Sequence, residues 1–412
     1  VSTDTWLDLP EDTHFGLHNL PYGVFDRPDV PSEPPRAGIA IGEHLLDLAP
    51  VAEALGRPEF SATLAHRSLN PLLALGRPRW TELRELITDW LTDRADRHLV
   101  EPHLIPREQI RLHLPFAPAD YVDFYASEHH ATTLGSLLRP GGAALLPNWK
   151  HLPVGYHGRA GTVVASGTPI VRPSGQRRPD PEQPPVFGPT TRLDLEAEVG
   201  FVVGGGPTVL GSSVPVADFR EHVFGALLVN DWSARDIQGW EGQPLGPHLG
   251  KSFATSVGSW VVPLDALDAA RVPPPPRDVP LLPYLRDDAE PWGLDIALEV
   301  RLNGHRISEP PFAEMYWTAP QQLAHMTVNG ASLRPGDLFA SGTVSGPGPY
   351  QRGSLIELTM GGQNPLKLPD GTERRFLEDG DEVRIGGSAP GPEGSRIGFG
   401  EVTGRVMLTG SD

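Results

Sequence analysis

Carboxylates crowd one stretch of this chain. Leu193-Asp-Leu-Glu-Ala-Glu-Val-Gly-Phe-Val-Val203 alternates acidic and apolar residues and then turns wholly apolar. Read as a strand, its period of two puts Asp194, Glu196 and Glu198 on one face and Leu195, Ala197 and Val199 on the other. On a solvent face that pattern is unremarkable. Beside a covered apolar segment, glutamates two apart repel each other unless a cation lies between them. With Asp123 and Asp231 as further candidates, the donor set is all oxygen. It suits a hard cation, Ca²⁺ or Mg²⁺, and does not suit zinc or copper.

Asp231 opens a second polar stretch. The apolar run 224–229 reads as a buried strand, and Asp231, Arg235, Asp236, Gln238 and Lys251 follow it among glycines and prolines. A rigid strand ending in a charged loop is a common support for reactive groups. A third cluster, 120–130, holds two Asp, one Glu, two Tyr and the pair His129 and His130. Neighbouring residues point in different directions, so one of the two histidines faces any site, and the residues alone do not say which. Arg139 can grip a carboxylate, and Tyr156, in the Pro- and Gly-rich loop 147–159, can donate to one. His151 and His157 read as loop-structuring. Glu357 falls in the apolar run 355–359, read as a strand, where an unpartnered carboxylate is costly and a histidine to orient gives it a reason. The Gly/Ser/Thr loop around Thr343 lets a ligand approach backbone N–H groups.

The elements that must carry these residues are short and β-rich. With 46 glycines and 46 prolines in 412 residues, the chain is built on turns. Residues 37–48 read as a hairpin turning at Gly42-Glu43, and 80–94 as a helix with Trp80, Leu83, Leu86, Ile87, Trp90 and Leu91 on one face. The proline-rich segment 271–283 reads as an extended connection. Residues 294–303 read as a strand ending at Asn303-Gly304, and Thr318 with Gln321 as the capping box of a helix that stops at Asn329-Gly330. Two strands near 379–383 and 398–407 close the fold. The division expected is 1–115, a small β module with helices, and 116–412, a catalytic β domain.

Composition narrows the function. A net charge of −18 argues against nucleic acid, while an anionic substrate then needs a local cationic pocket. No cysteine means no disulfide and no thiolate chemistry. No apolar run reaches membrane length, and a start carrying Asp4, Asp8, Glu11 and Asp12 does not read as a signal peptide, so the cytoplasm is expected.

The chain resembles the fumarylacetoacetate hydrolase family over nearly its full length. The resemblance is carried by Asn19-Leu-Pro-Tyr-Gly-Val-Phe25, Asp123-Phe-Tyr, His130-Ala-Thr, Leu152-Pro-Val-Gly-Tyr-His-Gly-Arg159, Ala340-Ser-Gly-Thr343 and most strongly Asn230-Asp-Trp-Ser-Ala-Arg-Asp-Ile-Gln238. It implies a mainly β fold with some α: a small SH3-like N-terminal barrel, then a mixed β-roll catalytic domain, as a homodimer. It implies hydrolysis of the C–C bond of 4-fumarylacetoacetate, the last step of tyrosine and phenylalanine catabolism. The metal ligands implied are Asp123, Glu196, Glu198 and Asp231, for Ca²⁺ or Mg²⁺, with Lys251 and Thr255 beside a second, structural Mg²⁺. The base falls on His130, its orienter on Glu357, and the oxyanion donors on Arg235, Gln238 and Lys251. Tyr125, Arg139, Tyr156, Gln238 and Thr343 match positions that bind the dianionic diketo acid. Gly242 stands where the family often has a substrate-contacting tyrosine. Asp120, Asp194 and Asp236 are read as structural. The alternatives are a related acylpyruvate hydrolase or decarboxylase, against which the N-terminal module and the Tyr156 loop count, and a non-catalytic metal-binding descendant.

Overall fold

A computed structural model describes residues 5–287 and 290–408, so Asp4 lies outside it. A mixed sheet of eight strands forms the centre. Its path runs Gly155–His157, Tyr121–Phe124, Leu338–Ala340, Ala197–Val203, Val223–Asp231, Thr255–Val257 and Val163–Ala165, with Val262–Pro263 pairing Val223–Asp231 to one side. Leu338–Ala340 runs parallel to Tyr121–Phe124, and Thr255–Val257 parallel to Val163–Ala165. The other pairings are antiparallel.

The apolar runs of the two central strands follow from burial on both faces. Val199, Phe201, Val203, Ala226 and Leu228 enter one core, and the alternate residues Val202, Leu227 and Val229 enter another. The first core is closed by a five-stranded sheet ordered His305–Ser308, Ala297–Leu302, Glu382–Pro390, Arg396–Met407, Ile170–Val171. Phe201 stacks on Phe339 there, with ring centroids 5.3 Å apart.

The N-terminal module closes the second core. Its antiparallel sheet is ordered Leu104–Pro106, His44–Asp47, Arg36–Ile41, Tyr22–Asp26, Arg111–Leu112. The hairpin turns at Gly42, whose φ of +54° suits a glycine. Trp80 and Tyr22 meet Phe224 edge-on at 5.2 and 5.4 Å, and Tyr22 exchanges two backbone hydrogen bonds with Val261. Trp80 sits on the helix Arg77–Thr92, which begins three residues before the expected start, with proline in its first turn. This is the mainly β architecture with short helices that the sequence implied.

Three expectations need correction. The strand 193–203 is two strands, Leu193–Asp194 and Ala197–Val203, and Leu193–Asp194 pairs with Ser233–Ala234 instead. Between them the Leu195 N–H donates to Asp194 and the Glu196 N–H to the Asn230 side chain, so the ladder is interrupted. Residues 355–359 are not a strand but the helical turn Leu355–Leu358, because the Asp194 carboxylate accepts the N–H groups of Leu355 and Ile356. The connection 271–283 begins with a two-residue strand, Arg271–Val272, paired with Gly293–Leu294. The capping box of Thr318 and Gln321 forms as expected and starts Ala319–Thr327.

Candidate active site and metal centre

The sheet register brings the carboxylates together. Asp123 lies opposite Tyr156 and beside Ala340, Glu198 opposite Val229, and Asp231 opposite Thr255. Glu198 shares the parity of Val202, and Asp231 that of Leu227 and Val229, so both project on the face of the second core. One oxygen from each of Asp123, Glu198 and Asp231 lies within 4.8 Å of the others, and all three side chains are buried. Asp123 Oδ1 and Glu198 Oε1 accept no hydrogen bond. Burial, followed by repulsion from Asp231, pushes the Asp123 carboxyl well above its usual range. Burial, then Asp123 and Asp231, does the same to Glu198. Bare buried oxygens converging at this spacing are what a hard divalent cation neutralises, so the residues fit such an ion.

Glu196 stands outside that trio. Its carboxylate accepts Arg235 Nη2 at 2.6 Å and is paired with Lys251 Nζ. Burial raises its pKa, but Arg235, Lys251 and His130 together outweigh that and hold it below the usual range. Lys251 also donates to Asp231 Oδ2 at 2.8 Å, and Thr255 to Asp231 Oδ1 at 3.1 Å. On the side where a second cation was expected, the ammonium of Lys251 itself meets Asp231.

The helix Glu128–Leu138 settles the choice between the histidines. Ser127 caps it by accepting the His130 N–H, and His130 lies on the buried face of the helix with Ala131, Leu134 and Gly135. His130 Nδ1 lies 2.8 Å from Glu357 Oε2, while Nε2 lies 3.8 Å from Glu196. His129 points outward toward Glu314. Glu357 Oε2 also accepts the hydroxyls of Ser345 and Ser354, at 2.9 and 2.7 Å. Burial is the largest influence on Glu357 and raises its pKa, yet His130 and these hydroxyls together hold it below the usual value. A carboxylate fixed on Nδ1 leaves Nε2 as the basic nitrogen.

Comparison with known proteins decides the family. The N-terminal model of fumarylacetoacetase matches residues 18–115, and the C-terminal model of fumarylacetoacetate hydrolase matches residues 121–407. The chain is 47 % identical to the fumarylacetoacetase of Homo sapiens across 98 % of both chains. The chain belongs to the fumarylacetoacetase family. The fumarylacetoacetases of Arabidopsis thaliana and Caenorhabditis elegans are each 44 % identical to it, over 98 % of this chain and 98 % and 99 % of theirs. A solved fumarylacetoacetate hydrolase from psychrophilic Exiguobacterium antarcticum shares the fold, with a TM-score of 0.55 at 18 % identity, covering 94 % of this chain and 99 % of that one.

The residues expected to meet a fumarylacetoacetase substrate are placed unevenly. Tyr125 packs edge-on to His130, with centroids 5.4 Å apart. The Tyr156 hydroxyl lies 3.0 Å from Asp123 Oδ2 and 2.9 Å from Asp231 Oδ2, with one proton to give to one of them. Gln238 accepts Arg235 Nη1 at 3.2 Å, and the Thr343 hydroxyl is buried with no hydrogen-bond partner. Arg139 spends its guanidinium on the carbonyls of Ala143 and Ala144, so its own loop holds it. Gly342 has φ +77°, and its N–H donates to Glu198; a Cβ there would stand 2.2 Å from the Phe124 carbonyl. Gly242 ends the helix Arg235–Glu241, and a Cβ would meet the Gln238 carbonyl at 2.7 Å. A cavity of about 220 Å³ reaches Asp231 and Lys251 past Arg159 and His248. A larger one, about 420 Å³, is lined by Val122, Phe124, Leu152 and Met326 and by none of the three clustered carboxylates. Sequence reasoning missed Ser345 and Ser354, since a serine beside a single glycine in a loop carries no signal of what it holds.

Proposed function

We propose that this chain hydrolyses 4-fumarylacetoacetate to fumarate and acetoacetate. The observation that carries the reading is the buried His130–Glu357 pair, with Nε2 turned toward Glu196, in a chain alike to a fumarylacetoacetase over 98 % of its length. His130 Nε2 takes a proton from water while Glu357 holds Nδ1 and balances the imidazolium that forms. The hydroxide adds to the ketone carbonyl next to the bond to be cut. Lys251 spends two of its three N–H donors on Glu196 and Asp231, which leaves one for the oxyanion beside those of Arg235 and Gln238. Collapse of the adduct breaks the C–C bond, and its electron pair leaves as the enolate of acetoacetate, which is then protonated. A divalent cation held by Asp123, Glu198 and Asp231, with Glu196 beside them, would supply Lewis-acid stabilisation of that enolate charge. Tyr125, Arg139, Tyr156 and Thr343 bind the dianion, with Arg139 gripping a carboxylate once released from its loop.

Ca²⁺ or Mg²⁺ is the ion proposed, because the donors are all carboxylate oxygens. A second, structural Mg²⁺ beside Lys251 and Thr255, a homodimer acting in the cytoplasm, and a boundary between residues 115 and 116 complete the reading. Among the described residues no helix is long and apolar enough to cross a membrane. The test is fumarylacetoacetate consumption with product identification, with and without chelator. Equal fumarate and acetoacetate, lost on chelation and restored by Mg²⁺ or Ca²⁺, is the expected result. Pyruvate as a product, or full activity in metal-free protein, would contradict it.

A further inference from the structure

Asp194 takes no part in the chemistry above, yet it touches both halves of the machinery. Its Oδ2 accepts Arg235 Nε at 2.8 Å, and Arg235 Nη2 lies at the same distance. Its two oxygens also accept the N–H groups of Leu355 and Ile356, at 2.8 and 3.1 Å, and Oδ1 accepts its own neighbour's, Leu195, at 2.8 Å. Leu355–Leu358 is the helical turn that carries Glu357. One carboxylate, wholly shielded from solvent, therefore joins the arginine at the oxyanion to the turn that aims the base.

We propose that Asp194 is a positioning residue that sets Arg235 and His130 in a single frame, His130 through Glu357. The proposal rests on the roles given above to those two residues. Chemistry makes the position exacting. A carboxylate offers about four acceptor sites on two oxygens, whereas an asparagine amide has one accepting oxygen and a nitrogen that only donates. Aspartate can hold the guanidinium and the turn together; asparagine, of the same size, can hold one. A purely structural carboxylate would need only the backbone donors. The ion pair with Arg235 is what ties this one to the reaction.

The experiment is Asp194→Asn, with Glu357→Gln and the double variant. A displacement on the order of 1 Å costs roughly 10²-fold in rate. We therefore expect kcat to fall about 10²-fold in Asp194→Asn, with KM and the calorimetric affinity for Ca²⁺ little changed. Both substitutions act through His130, so the double variant should lose less than the product of the two single losses. Unchanged kcat, or fully multiplicative losses, would overturn the proposal. A readout independent of turnover is the His130 Nδ1 proton resonance in ¹⁵N-histidine-labelled protein. It should shift in Asp194→Asn as the bond to Glu357 loosens, and an unmoved resonance refutes the positioning role. Wild-type protein that leaves fumarylacetoacetate intact would instead count against the hydrolase reading, and the resonance would still decide for Asp194. If Asp194→Asn does not fold, Asp194→Glu keeps the charge but lengthens the arm. Lowered kcat in that variant supports the proposal, and wild-type kcat refutes it.

Discussion

His130 meets the site through one nitrogen because Glu357 holds the other, and the hydroxyls of Ser345 and Ser354 in turn fix Glu357. That arrangement predicts a clean separation of functions. His130→Ala should abolish turnover, by at least about 10²-fold, and leave binding of a divalent ion intact. Titration calorimetry beside the hydrolysis assay checks it, and a variant that keeps hydrolysing removes the proposed base. Residue types and spacing made much of this legible. The cluster 120–130 and the carboxylates near 196 stood out as costly unless used. Which histidine turns inward was not legible from physics, because the answer lies in which face of the helix Glu128–Leu138 the rest of the fold covers. Nor was the fate of Glu196, whose partners Arg235 and Lys251 arrive from 39 and 55 residues away.

Short elements were the harder scale. The run Leu355-Ile-Glu-Leu carries too few residues for its periodicity to separate strand from helix, and a carboxylate 161 positions earlier decides it. The same carboxylate belongs to the interruption that splits 193–203. Both corrections come from long-range hydrogen bonds, which local patterns do not encode. The longer Arg77–Thr92 and the capped Ala319–Thr327 were legible because their apolar face or cap is written locally. The small sheet carries its own prediction. On its edge pairing, a hydrogen bond from Arg111 holds the Asp26 carboxyl below its usual value, with His113 assisting. A lowered carboxylate contributes stability above the unfolded aspartate pKa of about 3.9 and loses it as pH falls through the folded value. Arg111→Ala should therefore melt below wild type at neutral pH, and the two melting curves should converge in acid. A difference that persists at low pH would show that the pair is not its source.

At the scale of the molecule, the central sheet is covered on both faces, by the second sheet and by the N-terminal module. Phe201, fully buried against Phe339, is a keystone of the first core. Phe201→Ala should cost about 3–5 kcal/mol, read as a shift in the denaturant midpoint. A loss well under 1 kcal/mol would mean that the core closes around the gap. The mixed architecture itself was legible from glycine, proline and the paired apolar runs, while the order of strands was not.

That strand order has a consequence in time. Asp123, Glu198 and Asp231 enter from three strands, two of them separated in the sheet by Leu338–Ala340, the last strand of that sheet to leave the ribosome. No nascent fragment ending before that strand can present the finished cradle. Capture of an ion must therefore come late, after distant stretches have met, and contacts of such long range form slowly. A luminescent lanthanide added during refolding would act as a clock, dark through collapse and bright only on completion.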